Sequence, residues 1–276
     1  MPQRRGGLPA AAIALSGLAL LASACSRLTF VKPKLERGEF TQVAPTYEVH
    51  ETEADRRRMA AARAVAAAQV LLRAGDLDGA GRQARAAADA DPTLAEAHTL
   101  LALVASGRGD SARAGDEYAK AMRLAPDRGA TLNNYAAWLC ANGRAAESLP
   151  FFDRAVADPH YATPAAALAN AGACALTAGQ PGRADRDLRR ALELDPDNAV
   201  ALASLAQSEY RAGRYFQARA FSERRLAAAP ATAEVLELAS QIEQKLGDTA
   251  AAARYVQRLK AEFPASRAVP PGDAGQ

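Results

Sequence analysis

The side chains that most often catalyse reactions in proteins are scarce and scattered in this sequence. It has 276 residues, among them three histidines and three cysteines. His50, His98 and His160 are too far apart along the chain to indicate a metal site. No HExxH pair, phosphate-binding glycine loop or GxSxG sequence occurs, and no histidine lies beside a plausible nucleophile. The sequence therefore predicts no catalytic residue, metal, cofactor or small-molecule substrate, and a function in binding.

The elements that must position any functional side chain are helical hairpins. From Ala95 to Pro126, two apolar runs of helical period flank a turn at 107–110. Glycine readily adopts the left-handed conformation that ends a helix, and proline cannot continue one. This segment therefore predicts two helices joined by a tight turn. The turn glycine recurs at intervals of 34, 34, 36, 34 and 34 residues, at these positions: Gly75, Gly109, Gly143, Gly179, Gly213 and Gly247.

Prolines and alanines recur in register with these glycines. The prolines that close the second helices are Pro92, Pro126, Pro159, Pro196, Pro230 and Pro264. The small residues that allow close helix packing are Ala80, Ala87, Ala114, Ala121, Ala184, Ala191, Ala218 and Ala252. The period and the places of these residues resemble the tetratricopeptide repeat. We therefore predict an all-α fold, a right-handed superhelix of about six helix-turn-helix repeats, over residues 54–266, followed by a disordered tail at 267–276.

The third copy departs from this pattern. Ser148 occupies an alanine place, and two extra residues lengthen the connection around His160 to Thr163. Asn134 and Asn170 occupy equivalent early places in successive repeats, and we expect them to have a structural role.

Residues 1–24 have the layout of a signal peptide. Two arginines precede an uncharged apolar run from residue 8 to residue 21, which is shorter than the roughly 20 residues of a spanning helix. The run ends in the letters LASAC, which resemble a bacterial lipobox, so we expect Cys25 to be lipidated and to become the mature N-terminus. The alternative is an ordinary signal peptide cut near Ala24, with Cys25 left as a free thiol. Ser26 after the cysteine resembles the signal that sorts lipoproteins to the outer membrane.

Residues 25–53 are predicted to be a lipidated N-terminus and a flexible tether. This segment is rich in proline, charged residues and threonine without an apolar period, so it cannot bury enough surface to fold. About 28 flexible residues have an r.m.s. reach of roughly 30 Å. Removing residues 1–24 leaves a net charge of about +1, and the arginines of 82–85 and 183–190 lie among acidic residues. We therefore expect a solvated outer face and no nucleic-acid partner.

Two further cysteines, Cys140 and Cys174, lie near the ends of first helices in consecutive repeats. First helices of neighbouring hairpins run side by side with axes about 8–10 Å apart, so the two sulfurs can meet. Export to an oxidising compartment would permit a disulfide bond, which is the interpretation we favour. The alternative is two buried free thiols that pack as small core residues.

Without catalytic residues, function must depend on a surface, and the first helices of stacked hairpins line the concave one. We predict a partner-binding groove that includes Val65, Gln69, Leu72, Thr99, Leu103, Asn133, Ala137, Ala169, Ala173 and Tyr210. The same faces of these helices also carry Ala62, Glu96, Ser106, Leu176, Ala203 and Gln207. Most of these side chains are small or apolar, and charges are few. Such a groove suits an extended or helical apolar segment of a partner.

Longer runs in the middle repeats are more specific than the repeat pattern. They are LNNYAAWLC at 132–140, PFF at 150–152, DPHY at 158–161 and ANAGAC at 169–174, with GRYFQAR at 213–219 and FPAS at 263–266. Together these runs resemble the PilF/PilW family of type IV pilus biogenesis lipoproteins over nearly the whole mature domain. The resemblance also implies a disulfide bond between Cys140 and Cys174.

In that family a six-repeat lipoprotein serves as pilotin for the PilQ secretin and helps it to reach the outer membrane and multimerise there. The resemblance therefore implies a lipid-anchored protein on the periplasmic side of the outer membrane, with a PilQ-type secretin as its partner and a role in pilus assembly and twitching motility. The alternative is a repeat lipoprotein that regulates or scaffolds peptidoglycan synthases or hydrolases. Its lipid, tether and repeats would look much the same.

Overall fold

The computed structural model describes residues 51–264, so the predicted signal peptide, Cys25, the tail and most of the tether lie outside the described residues. Regular secondary structure within 51–264 consists of twelve helices, with no strand. None of these helices is both long enough and apolar enough to cross a membrane. Their bounds are α1 (Glu53–Arg73), α2 (Leu77–Ala90), α3 (Ala95–Gly107), α4 (Ser111–Leu124), α5 (Gly129–Ala141), α6 (Ala145–Ala157), α7 (Pro164–Thr177), α8 (Pro181–Leu194), α9 (Ala199–Arg211), α10 (Tyr215–Ala228), α11 (Ala233–Leu246) and α12 (Thr249–Glu262).

Consecutive helices of the described part pair into six hairpins, which stack in chain order. The first helix of each hairpin packs against its own second helix, against the second helix of the preceding hairpin, and against the first helices of adjacent hairpins. Each repeat therefore contacts mainly its neighbours, as expected of a repeat array. This arrangement confirms the predicted all-α superhelix of helix-turn-helix repeats.

The array begins at Glu53, one residue before the predicted boundary. Thr52 caps α1, because its hydroxyl oxygen accepts a hydrogen bond from the Asp55 backbone N–H at 3.1 Å, while the Asp55 carboxylate accepts one from the Thr52 N–H at 3.2 Å. This capping box satisfies two backbone donors that the helix leaves unpaired. Hydrogen bonds from the Thr52 side chain and from Arg58 lower the pKa of Asp55 to about 2. The cap therefore persists at neutral pH and is lost only as the pH falls through that value.

The turn glycines end the first helix of every hairpin. All six have positive φ angles, between 71° and 82°. At Gly247, for example, the backbone N–H donates to the Gln244 carbonyl at 3.2 Å and closes α11 in a conformation that strains residues with a Cβ. In three repeats the following residue is an aspartate whose carboxylate caps the second helix: Asp76, Asp110 and Asp248. The glycines that recur along the sequence are thus the residues that form the turn of each hairpin.

The recurring alanines lie where helices approach most closely. All eight are at most 4% exposed: Ala80, Ala87, Ala114, Ala121, Ala184, Ala191, Ala218 and Ala252. Ser148, in the equivalent place of the third repeat, is fully buried and donates its hydroxyl hydrogen to the Ala145 carbonyl at 2.7 Å. The serine therefore fits the close contact without leaving a buried polar group unpaired.

The outer-face arginines differ from the expectation at one position. Arg82 and Arg85 are exposed, as expected. The Arg183 side chain, however, is only 19% exposed and lies 2.6 Å from Asp153 of α6 and 3.1 Å from Asp187 of its own helix. The prediction of a solvated side chain is wrong for Arg183, because its ion pair with Asp153 holds it at the interface between the third and fourth repeats.

The longer connection of the third repeat folds back over the start of α5. Tyr161, in this connection, packs so closely on Gly129 that a Cβ there would lie 2.7 Å from the Tyr161 Cβ and 2.8 Å from the Ala155 carbonyl oxygen. Leu132 and Ala155 lie in the same buried cluster, which Tyr161 covers. Glycine at 129 is therefore required by a close approach, although its backbone conformation is ordinary.

We expect Gly129→Ala to lower the free energy of unfolding by about 1–3 kcal/mol, because the added methyl group forces Tyr161 or the α6 backbone to shift. Chemical denaturation followed by circular dichroism measures this change. Gly182→Ala in α8 is the matched control, since a Cβ there meets no atom within 4 Å, and its stability should be unchanged or slightly raised. Equal stabilities for the two variants would show that the connection yields to the methyl group.

Candidate binding groove

Three cavities lie along the first helices of the described array. The N-terminal cavity, of about 580 Å³, lies between α1, α3, α5 and the connection at 158–163. The middle cavity, of about 480 Å³, lies around α3 and α5 and shares Leu103 and Asn134 with the first. The C-terminal cavity, of about 320 Å³, lies between α7, α9, α10 and α11. We call these three cavities together the groove.

The N-terminal cavity brings several of the predicted groove residues together: Gln69, Leu72, Glu96, Thr99 and Leu103. The Gln69 amide nitrogen donates to the Glu96 carboxylate at 2.8 Å, which links α1 to α3 across the cavity wall. Leu103 is 40% exposed, a large value for a leucine on a helix packed on several sides. This end of the groove thus combines an exposed apolar side chain with polar side chains that are already hydrogen-bonded.

The longer connection of the third repeat supplies part of that wall. Asp158 fixes it, because its carboxylate accepts hydrogen bonds from the Gly129 N–H at 2.7 Å and the His160 N–H at 2.9 Å. These two bonds lower the pKa of Asp158, so the carboxylate holds the connection at neutral pH and releases it as the pH falls through the lowered pKa. His160 and Tyr161 line the cavity, although the sequence analysis did not place them there. The two-residue insertion was the available signal.

The middle cavity contains Leu103, Ser106 and Ala137 of the predicted groove, and also Trp138, which was not predicted. The Trp138 indole N–H donates to the Ser111 carbonyl at 3.0 Å, and its ring covers Gly115, where a Cβ would lie 2.1 Å from a ring carbon. The pairing of a tryptophan with a glycine 23 residues earlier is visible only once the helices are packed.

The C-terminal cavity contains Ala173, Leu176, Ala203 and Gln207, all on predicted groove faces. It also contains residues from two helices that the prediction left out: Ser222 and Arg225 of α10, and Glu234, Val235 and Leu238 of α11. The sixth repeat therefore takes part in the groove, and the second helix α10 also reaches into it.

Four of the predicted groove residues do not line any of the three cavities. Val65, Asn133 and Ala169 are buried, with 6%, 9% and 1% exposure, so they pack in the array and cannot contact a partner. Asn133 accepts a hydrogen bond from Asn170 at 3.1 Å, which links α5 to α7. Tyr210 packs against Tyr215 with ring centroids 5.6 Å apart. The groove assignment is wrong for the three buried residues, because a first helix packed on several sides leaves only a narrow stripe open. For Tyr210, which is partly exposed, the assignment stays a prediction.

Cys140 of α5 and Cys174 of α7 are joined by a disulfide bond, with their Cα atoms 5.9 Å apart. Cys174 belongs to the largest buried cluster, and Cys140 packs against it. Ala137 and Ala173, on the same two helices, line the middle and C-terminal cavities. The disulfide bond therefore fixes the spacing of the helices that carry two parts of the groove.

Reduction of this disulfide bond is expected to lower the free energy of unfolding by about 3–4 kcal/mol, because the oxidised chain closes a loop that restricts the unfolded state. Urea denaturation with and without a thiol reductant measures the difference. The double variant Cys140→Ala/Cys174→Ala should match the reduced protein, and reductant should not change it further. A response of the double variant to reductant would point to Cys25 instead.

The tetratricopeptide-repeat family profile matches residues 175–242. The crystal structure of PilW, described as a widely conserved type IV pilus biogenesis factor, matches with a TM-score of 0.68 and 30% identity, over 75% of this chain and 95% of the PilW chain. This chain belongs to the PilF/PilW family. The type IV pilus assembly protein PilF of Pseudomonas aeruginosa is 26% identical over 195 residues, which are 71% of this chain and 77% of PilF. A structure of Pseudomonas aeruginosa PilF matches with a TM-score of 0.66 and 25% identity, over 76% of this chain and 94% of that one.

Most of the residues by which the sequence resembled the PilF/PilW family lie in the third and fourth repeats. Tyr135 stacks on Trp138, with ring centroids 6.0 Å apart, and meets Phe151 edge-on at 5.1 Å. At Gly172, a Cβ would lie 2.5 Å from Leu188, so α7 and α8 approach closely there. Together with the disulfide bond, these contacts indicate that these residues mainly stabilise the third and fourth repeats.

Proposed function

We propose that this protein is a lipid-anchored assembly factor that binds the secretin of the type IV pilus and promotes its localisation and multimerisation in the outer membrane. The observation that carries the proposal is the match to PilW over 95% of that chain, because PilW is described as a type IV pilus biogenesis factor. The similarity to PilF, a type IV pilus assembly protein, supports the same role. Stacked helical repeats present an extended surface for binding, so the mechanism is one of partner capture.

The groove supports capture of an apolar segment. Leu103 lies where the N-terminal and middle cavities meet and is 40% exposed, so a partner that covers it removes apolar surface from water. Ala137 and Leu176 continue this apolar lining in the middle and C-terminal cavities. An apolar secretin segment laid along the groove is shielded from aggregation until the ring closes.

The proposed anchor explains how capture leads to assembly. Acyl chains on Cys25 hold the protein on the inner leaflet of the outer membrane, because two or more chains anchor a protein stably. The tether, with a reach of roughly 30 Å, keeps the repeat domain near secretin subunits in the same membrane. Confinement of both partners raises their effective concentration without any new contact.

Deletion of the gene from its source bacterium is expected to remove the heat-resistant secretin multimer from outer-membrane fractions on a gel, while secretin monomer remains. The wild-type gene should restore the multimer. A Cys25→Ser gene should not restore it, because the unanchored protein is not confined with the secretin. An unchanged multimer in the deletion strain would overturn the proposal and turn attention to peptidoglycan synthases or hydrolases as partners.

Leu103→Glu is expected to weaken secretin capture by about tenfold or more, because binding would bury an unpaired carboxylate. Co-purification and titration with the secretin measure capture, and circular dichroism should show unchanged helicity. Leu124→Glu is the matched control, since Leu124 is 37% exposed on the second helix α4 and lines none of the three cavities. If both variants and the wild type bind the secretin equally well, the groove is not the surface that captures it.

A further inference from the structure

The C-terminal cavity contains a buried cation with no acidic partner among the described residues. Arg225 is 8% exposed. The other buried acidic and basic side chains of the described part each have a partner of the opposite kind: Asp187 with Arg183, Glu209 with Arg214, Glu243 with Arg219, and His98 with Glu117. Within residues 51–264, Arg225 alone among them lacks such a partner.

The hydrogen bonds of Arg225 satisfy only part of its guanidinium. The Nη1 group donates to the carbonyl oxygens of Ala229 and Pro230, at 3.1 Å and 3.2 Å. A guanidinium has five N–H donors, and in the described residues those on Nε and Nη2 have no protein acceptor. Because no buried side-chain nitrogen of the described residues lacks a hydrogen-bond partner, these donors are open to solvent. A carboxylate in the cavity can accept from these donors in place of water, and such charge-assisted hydrogen bonds are stronger than neutral ones.

The surroundings of Arg225 show what kind of carboxylate fits. Thr177, Arg211 and Glu234 are exposed and form the rim of the cavity, whereas Arg225 is buried at its base. Between rim and base the lining is mainly apolar: Ala173, Leu176, Ala203, Val235 and Leu238. A side chain can extend from a backbone at the rim to the base, whereas a chain terminus would have to bury backbone amide groups among apolar residues.

We propose that the C-terminal cavity binds an aspartate or glutamate side chain, flanked by apolar residues, of a partner segment that lies in the groove, with the Arg225 guanidinium as the partner of its carboxylate. This inference rests on the groove being the partner-binding surface, as proposed above, and does not depend on the partner being a secretin. Glu234 at the rim opposes an acidic ligand, but it is exposed to solvent, and Arg211 at the same rim has the opposite charge.

Amidated and acetylated peptides test the proposal directly. One peptide contains the sequence Leu-Glu-Leu between glycines, a second has glutamine in place of glutamate, and a third ends in Leu-Leu with a free terminal carboxylate. Binding of each peptide to the full chain is followed by NMR. The full chain is used so that carboxylates outside the described residues compete with the peptide for Arg225. We expect the glutamate peptide to bind about tenfold more tightly than the other two and to shift the signals of Val235 and Leu238.

The variants separate recognition from stability. Arg225→Gln should bring the affinity ratio of the glutamate and glutamine peptides close to one, and because this ratio is measured within one protein, a loss of stability does not affect it. Arg224→Gln is the matched control, since Arg224 is on the same helix, lines none of the three cavities and should keep the ratio.

Three results would overturn the proposal: equal affinity of wild type for the glutamate and glutamine peptides, absence of binding at millimolar peptide, or a preference for the peptide with the free terminus. Each of these results leaves the secretin experiments unaffected.

Discussion

Close stacking of hairpins through small side chains is the constraint on which the rest of the structure depends. A single hairpin leaves an apolar side open to water, and only a neighbouring hairpin covers it. Alanines at the closest positions let the helices approach, while larger buried side chains such as Phe152 and Leu188 fill the space between them. The first helices are thereby held in a fixed order, and the groove along them exists before any partner binds.

The junction of the third and fourth repeats is reinforced beyond this common packing. It has a covalent link between Cys140 and Cys174 and a hydrogen bond between Asn133 and Asn170. Because α5 and α7 line different cavities, these contacts fix the distance between two parts of the groove. A partner segment long enough to span both parts therefore meets a surface of set length.

Charge is distributed differently in the core and in the groove. Buried carboxylates are paired with arginines, often from a neighbouring helix, as Glu243 of α11 is paired with Arg219 of α10. Such pairs compensate the buried carboxylates and help to orient one repeat on the next. Most of the exposed surface of the groove is apolar, so affinity there depends on covered surface, and selectivity depends on the polar groups along it. Arg225 is the clearest of these groups because it is both buried and unmatched.

The architecture could be predicted from the sequence, because the repeat is encoded locally. The turn glycines, the closing prolines and the alanines act within one hairpin or between adjacent ones, so their period fixed the number, order and class of the elements, and the middle repeats indicated the family. The exact groove was decided by tertiary structure. Val65 and Ala169 are buried between helices. Arg225, on a second helix, and Tyr161, in a connection, line cavities instead. Which stripe of a helix stays open depends on the packing angle of its neighbours, and no local pattern specifies that angle.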